Sequence, residues 1–293
     1  MKHSLKDLEL KANTIRQNII KMLVAAGSGH SAGPLGMADV FTALYFEVLK
    51  HKPHDPDWSD RDRLILSNGH IVPVRYAAMA EAGYFDIAEL KTLRKFGSRL
   101  QGHPERVRLP GLESTSGPLG SGLSQAIGIA LGLKYHENTS SHVYVCLGDG
   151  ELNEGNAWEA IMLAGARKIN NLTAIIDRNN IQIDGFTEDV MSLEPLAMKW
   201  QAFNWHVIEV DGHNIEQIVA ACGEARAVFE RPTVIIAHTI PGKGVDYMEH
   251  EPIWHGMPPG TKDVPGDPAK ADQASVALAE LRTLRGQIRS EHQ

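Results

Sequence analysis

Two polar clusters stand directly after strongly apolar runs of this chain. Gly148-Asp149-Gly150 closes the run His142-Val-Tyr-Val-Cys-Leu147, and Asp177-Arg178-Asn179-Asn180 closes the run Leu172 to Ile176. If both runs are strands, a carboxylate and an amide sit at adjoining strand ends. Such a pair can share one hard divalent cation, completed by a backbone carbonyl and water. The flanking glycines let the chain turn tightly and bring N–H groups up to an anion. A hard cation beside exposed N–H groups is what a diphosphate needs. The same residues also fit a plain turn followed by capping asparagines.

Four histidines lie in loop contexts: His30 in GSGHSAGPLG, His70 in SNGH, His103 in QGHPE and His255 in PIWHG. Imidazole donates, accepts and carries a proton near neutral pH, so a cluster of them suits sugar hydroxyls and phosphates. Taken singly, each is an ordinary hydrogen-bonding residue. Zinc is a rival ligand, but neither HExxH nor CxxC spacing occurs. Of the two cysteines, Cys146 falls inside an apolar run and belongs in a core.

The elements that must position these groups follow from periodicity. Apolar residues at three- and four-residue steps predict helices over Leu5 to Ala26, Met37 to Leu49, Pro73 to Glu81, Ile87 to Lys95 and residues 214–229. Pro118 to Leu133 reads as a glycine-rich helix, in which each glycine costs about 1 kcal/mol relative to alanine. Such a cost is tolerated where a backbone must pack closely. Short strands are expected at Arg63 to Leu66 and near 143–147, 172–176, 205–210 and 233–237. Strands alternating with helices imply an α/β fold, a doubly wound and mostly parallel sheet with helices on both faces. Ligands of such sheets bind off the carboxyl ends of the strands. One domain is expected over residues 1–260. A Pro/Gly-rich linker and a charged helical tail, Gln273 to Ile288, then occupy residues 261–293, with Val276, Leu278, Leu281 and Leu284 as the tail's apolar positions.

The formal charge of -7 with 43% hydrophobic residues gives no support to nucleic-acid binding. The absence of any apolar run of membrane-spanning length, or of a signal core, leads to the expectation of a cytoplasmic protein.

With these motifs the sequence resembles the thiamine-diphosphate enzymes, specifically the transketolase family, over about residues 8–260. Gly148-Asp149-Gly150 with Asn179-Asn180 is similar to the family's cofactor motif. The likeness implies Mg2+, with Ca2+ or Mn2+ as substitutes, held by Asp149, the Asn179 side chain and the Ile181 carbonyl. Gly29-His30-Ser-Ala-Gly-Pro-Leu-Gly36 resembles GHPGxPLG, departing at Ser31 where proline is usual. Gly117-Pro118-Leu119-Gly120 resembles the helix start along the cofactor, with Ser121 in place of glutamine. What the resemblance implies for the histidines is His70 near the diphosphate, His103 at the donor C1 hydroxyl, and His30 with His255 handling the donor C3 hydroxyl proton. His255 would also reach the diphosphate. Ile183 and Ile240 would pack against the cofactor rings, and Glu154 would sit at a dimer interface.

The implied reaction moves a two-carbon ketol unit from a ketose phosphate such as xylulose 5-phosphate to an aldose phosphate. A complete transketolase continues into a pyrimidine-binding domain that carries the activating glutamate. The expectation is therefore an N-terminal subunit that works with a separately encoded pyrimidine-domain partner as an α2β2 assembly, or else an isolated fragment. Alternatives are a related reaction, such as 1-deoxyxylulose 5-phosphate or dihydroxyacetone synthesis, and a non-catalytic protein that kept the cofactor pocket.

Overall fold

The computed structural model describes residues 1–137 and 140–283. Each apolar run forms a strand: β1 (Arg63–Leu66), β2 (Val143–Gly148), β3 (Leu172–Arg178), β6 (His206–Asp211) and β7 (Thr233–His238), with a small antiparallel hairpin of β4 (Ile181–Gln182) and β5 (Gly185–Phe186) between β3 and β6. The five long strands make one parallel sheet in the order β1-β2-β3-β7-β6. The register sets Gly148 opposite Asp177, so both polar clusters end at one level of the same edge.

Alternation along the strands divides the core in two. Leu64, Leu66, Tyr144, Cys146 and Ile175 face one side, where the helices Leu5–Ala26, Val72–Glu81 and Ile215–Ala227 cover them. Ile65, Val143, Val145, Leu147, Ala174 and Ile176 face the other, under Ser121–Gly132, Gly155–Ala166 and Leu196–Ala202. Burial on both faces explains why the strands read as continuous apolar runs. Cys146 and Cys222 are free and buried.

Several boundaries differ from the sequence expectation. Met37 to Leu49 is not one helix: Ala32–Gly36 and Ala38–Ala43 meet at Met37, whose ψ of 4° breaks the α ladder, and Leu44–Val48 closes as a wider π turn. Ile87 to Lys95 forms only a 3-10 stretch, Ile87–Thr92, capped by the Asp86 carboxylate on the Ala88 N–H. Beyond it Arg94 adopts a left-handed conformation, φ 59°. The helix Leu5–Ala26 matches expectation, with Ser4 accepting from the Asp7 N–H and Gly27 at φ 66° ending it. The hairpin and the helix Thr187–Met191 are additional.

The tail helix, described over Gln273–Thr283, packs on Leu5–Ala26 through buried Ala277 and Leu281, and Asn13 Nδ2 donates to the Leu281 carbonyl at 2.6 Å. Its expected continuation through Leu284 to Ile288 lies outside the described residues. Among those residues no helix is long and apolar enough to cross a membrane.

Candidate active site

At the carboxyl edge, the loops after β1, β2 and β3 enclose a cleft of about 310 Å3. Of the residues singled out from sequence, His30, His70, His103, Gly117, Leu119, Gly148, Asp149, Gly150, Asn179, Ile181, Ile183 and His255 line it. Pro118 and Glu154 are exposed, and neither they nor Ile240 line the cleft. A larger apolar hollow, about 460 Å3 between Trp158, Met191 and Phe203, has Lys199 as its only charged lining residue. Groups able to do chemistry converge in the smaller one.

His30, His70 and His255 come from three loops far apart in sequence, yet their ring centroids lie 4.9, 5.6 and 5.2 Å apart. Burial holds His30 and His255 neutral, each lowered to about 4, and drives His70 well below the ordinary histidine range. Around His30 the neighbouring His255, Arg94 and His103 add to burial in the same direction. His103, at the rim, is lowered by partial burial and then by Arg94. The Nδ1 atoms of His30 and His255 are buried with no hydrogen-bond partner. Neutral imidazoles with free nitrogens are suited to accept a proton or bind a polar ligand.

Ser31 explains one departure from the family pattern. Its buried hydroxyl reaches the Trp254 carbonyl at 3.3 Å and, more closely, that of Met257, tying the His30 loop to both sides of His255. Proline has no hydroxyl with which to make either bond.

Opposite the histidines, Asp149 Oδ2 accepts from Arg178 Nη1 at 3.0 Å and from the Asn180 N–H at 2.7 Å, while Oδ1 accepts from the Gly150 N–H. Asn180 stands at φ 63°, a left-handed turn that asparagine tolerates. Asn179 Nδ2 donates to Asp177 Oδ2, and its Oδ1 accepts from the Ile181 N–H at 3.1 Å. Burial raises the pKa of Asp149 despite these donors. Burial also pushes Asp177 up to about 7, with the Asp149 charge adding to it and the Thr239 and Asn179 hydrogen bonds opposing.

Among the described residues no three His, Cys, Asp or Glu side chains group as a metal site. The oxygens on offer are instead a carboxylate, an amide and a carbonyl, the hard-cation set, beside two buried carboxylates that a cation would relieve. Asn68 adds a sign of a missing polar ligand. It is fully buried between β1 and His70, and both its amide atoms lack a partner. The donor set and these unsatisfied atoms fit a metal-bound diphosphate.

Sequence reasoning missed Asn68, Glu151 and Arg178. Asn68 sits inside the SNGH motif, where the histidine carries the more obvious chemistry. Glu151 is the buried carboxylate after GDG. It accepts from Ser67 Oγ, from the Gly120 N–H at 2.6 Å and from the Gly148 N–H at 3.0 Å. Glu154, three residues on, stays exposed at a helix N-terminus and makes no capping bond there. The 3-10 turn Gly150–Asn153 decides which of the two points inward. Gly122 packs on this network, since a Cβ there would lie 2.5 Å from Ser67 Oγ.

A family model described as "Transketolase, thiamine diphosphate binding domain" matches residues 8–271. The 6-deoxy-6-sulfo-D-fructose transketolase subunit SqwG of Clostridium sp. (strain MSTE9) is 43% identical over 251 residues, 86% of this chain and 91% of that protein. An apulose-4-phosphate transketolase subunit of Phocaeicola vulgatus is 40% identical over 252 residues, covering 86% of this chain and 89% of that protein. The crystal structure of transketolase from Campylobacter jejuni superposes with a TM-score of 0.83 at 31% identity, over 97% of this chain and 48% of that one.

Proposed function

The chain belongs to the transketolase family as its thiamine diphosphate binding domain, and from this membership we propose that it is the N-terminal subunit of a two-subunit transketolase. The division of labour within it is a cofactor-binding domain over residues 1–260 and a linker and tail over 261–293, with a helix at Gln273–Thr283. The observation that carries the proposal is the set of three neutral imidazoles within 5.6 Å of one another across the cleft from the Gly148-Asp149-Gly150 loop. A single metal or hydrogen-bonding histidine has no need of such a cluster, whereas a polyhydroxylated substrate does.

Thiamine diphosphate, when bound, supplies the carbon nucleophile and electron sink needed to cleave the bond between C2 and C3 of a ketose. In this proposal Asp149, Asn179 and the Ile181 carbonyl would hold Mg2+, for which Ca2+ or Mn2+ could substitute. His70 and the Gly117-Pro118-Leu119 turn would receive the diphosphate. Ile183, which lines the cleft, would flank its rings, whereas Ile240 stands outside that lining. His30 and His255, neutral and lining the cleft, would take up the proton of the donor C3 hydroxyl and return it to the product. His103 at the rim holds the C1 hydroxyl.

The partner in this proposal is a separately encoded pyrimidine-domain subunit in an α2β2 assembly. Two relatives named as subunits are matched over about nine-tenths of their own length. Exposed apolar side chains at and near the open side of the cleft, among them Leu119, Ile183 (72% exposed), Phe186 and Met191, are surface for a partner to cover. Glu154, exposed beside them, is assigned to that interface. The donor is a ketose phosphate such as xylulose 5-phosphate. Because two relatives carry the names of a sulfo-sugar and of apulose 4-phosphate, the assay includes those donors. Light scattering and a ketol-transfer assay on this chain alone, then mixed with the candidate partner, test the proposal. Activity is expected only after mixing, and full activity of the isolated chain refutes the two-subunit reading.

A further inference from the structure

Arg94 is not accounted for by the site described above. It sits at φ 59°, a conformation costly for any residue with a Cβ and commonly retained where function demands it. Its N–H is fixed to the Leu100 carbonyl at 2.9 Å, which closes the loop that returns the chain toward His103. Among the described residues no carboxylate or carbonyl pairs with its guanidinium, whereas nearby Arg99 is held by both oxygens of Glu89. The guanidinium lies instead on the backbone of Gly102. A Cβ at Gly102 would be 2.8 Å from Cζ and Nε of Arg94, so any other residue there would displace the head group from its present place. The same Nε is 3.7 Å from the Cβ position of Gly29. Gly29 and Gly102 immediately precede His30 and His103.

We propose that Arg94 is a positioning residue that spans the His30 and His103 loops and places one fixed cation beside both imidazoles. The groups facing His30 are His70, His103, His255 and Arg94, and none is a carboxylate. The charged group facing His103 is Arg94, since Glu105 on the same loop accepts from Thr115 and from the Val107 N–H. Asp149, Glu151, Asp177 and Asp184 line the same cleft and Glu105 stands two residues from His103, but Arg94 is the fixed charge that acts on both rings and it disfavours the imidazolium. It acts alongside burial at His30 and matters most at half-buried His103, where burial alone is weaker.

The inference rests on the ketol-transferase reading only for its catalytic consequence, so the primary measurement is made without substrate. Histidine ring titrations are followed by NMR on the full chain as wild type, R94M and R94K. R94M keeps the length and loses the charge, while R94K keeps the charge and loses the planar stack. In R94M the His103 and His30 titrations should move up, more for His103, and the shift should shrink with added salt. In R94K both should stay near wild type, with faster amide exchange at Gly102 and His103. His142, which faces Arg226, should not move in either and serves as the internal control. If R94M does not fold, R94Q is the charge-free replacement. In the assembled enzyme, the acid limb of kcat/KM should move up in pH while the alkaline plateau of kcat is retained. Unmoved His30 and His103 titrations overturn the proposal, as does a rise in KM for phosphorylated donors at every pH with unmoved rings, which would place Arg94 on the substrate anion. Shifted rings in a chain that shows no ketol transfer with its partner overturn the transferase reading and leave Arg94's role standing.

Discussion

Replacing Glu151 tests whether the cleft is built on a buried carboxylate. Its two oxygens collect the Ser67 hydroxyl from the end of β1, the Gly148 N–H from β2 and the Gly120 N–H from the start of the glycine-rich helix. Glu151→Ala leaves two buried N–H groups without acceptors, at about 1–3 kcal/mol each. Ser67 Oγ keeps its bond from the Gly122 N–H, so its loss adds little. Burial raises the pKa of Glu151, so part of the gain from these bonds is already offset by desolvation of the charge. The expected loss is therefore about 3 kcal/mol, in the lower half of the range that two orphaned donors allow. For a chain of this size that corresponds to a fall in Tm of about 5 °C. Glu151→Gln should cost less, because it sheds the buried charge, keeps one acceptor and misplaces only an NH2 group. Urea unfolding followed by circular dichroism, with the m-value as a check on two-state behaviour, measures both variants. An alanine variant within about 0.5 kcal/mol of wild type, the range of an ordinary surface change, would refute the argument.

Four further outcomes are expected. Asp149→Asn should weaken Mg2+-dependent thiamine diphosphate binding by the assembled enzyme about a hundredfold or more, since loss of mere supporting groups already costs 10–100-fold; calorimetric titration giving equal affinities would sink the metal assignment. His103→Ala should leave cofactor affinity unchanged and lower turnover on xylulose 5-phosphate by about 2–4 kcal/mol, the worth of one transition-state contact, and normal turnover at saturation would place His103 elsewhere. His142 is buried between Thr173 and Tyr144 and is lowered to about 3, so its stabilising contribution is complete above the unfolded value of 6.5 and drains away as pH falls toward 3; His142→Gln should flatten the acid limb of stability by up to about 1.4 kcal/mol per pH unit, and an unchanged limb in pH-dependent unfolding would contradict this. Gly128 is exposed and a Cβ there meets nothing within 4 Å, so Gly128→Ala should stabilise the isolated chain by about 0.5–1 kcal/mol, whereas Gly122→Ala should destabilise it against Ser67; thermal melts showing the same sign for both would refute the distinction.

The chemistry-bearing loops were legible because each is short and follows an apolar run: Gly148-Asp149-Gly150, Asn179-Asn180 and Gly69-His70 all stand where a fully buried strand must end. Parallel pairing follows from the same residues, since a run buried on both faces needs helices on both sides and parallel neighbours, whereas the order β1-β2-β3-β7-β6 emerges only in the fold. The sequence alone therefore determined an α/β sheet, its ligand-bearing edge and the histidines offered there. What it left undecided was direction. Glu151 and Glu154 are equivalent in one dimension, and only the 3-10 turn after Asp149 buries one and exposes the other. The helix expected from Met37 to Leu49 has the right apolar period, yet its ladder breaks at Met37 and widens after Ala43, departures to which local periodicity is blind. Arg94 gives no sequence signal, since its significance lies in two glycines of other loops that leave room for its guanidinium. Residue type and period fix which groups are presented at an edge. Which of them meet, and in which protonation state, depends on burial and on charges brought together from distant segments, and those exist only in the folded chain.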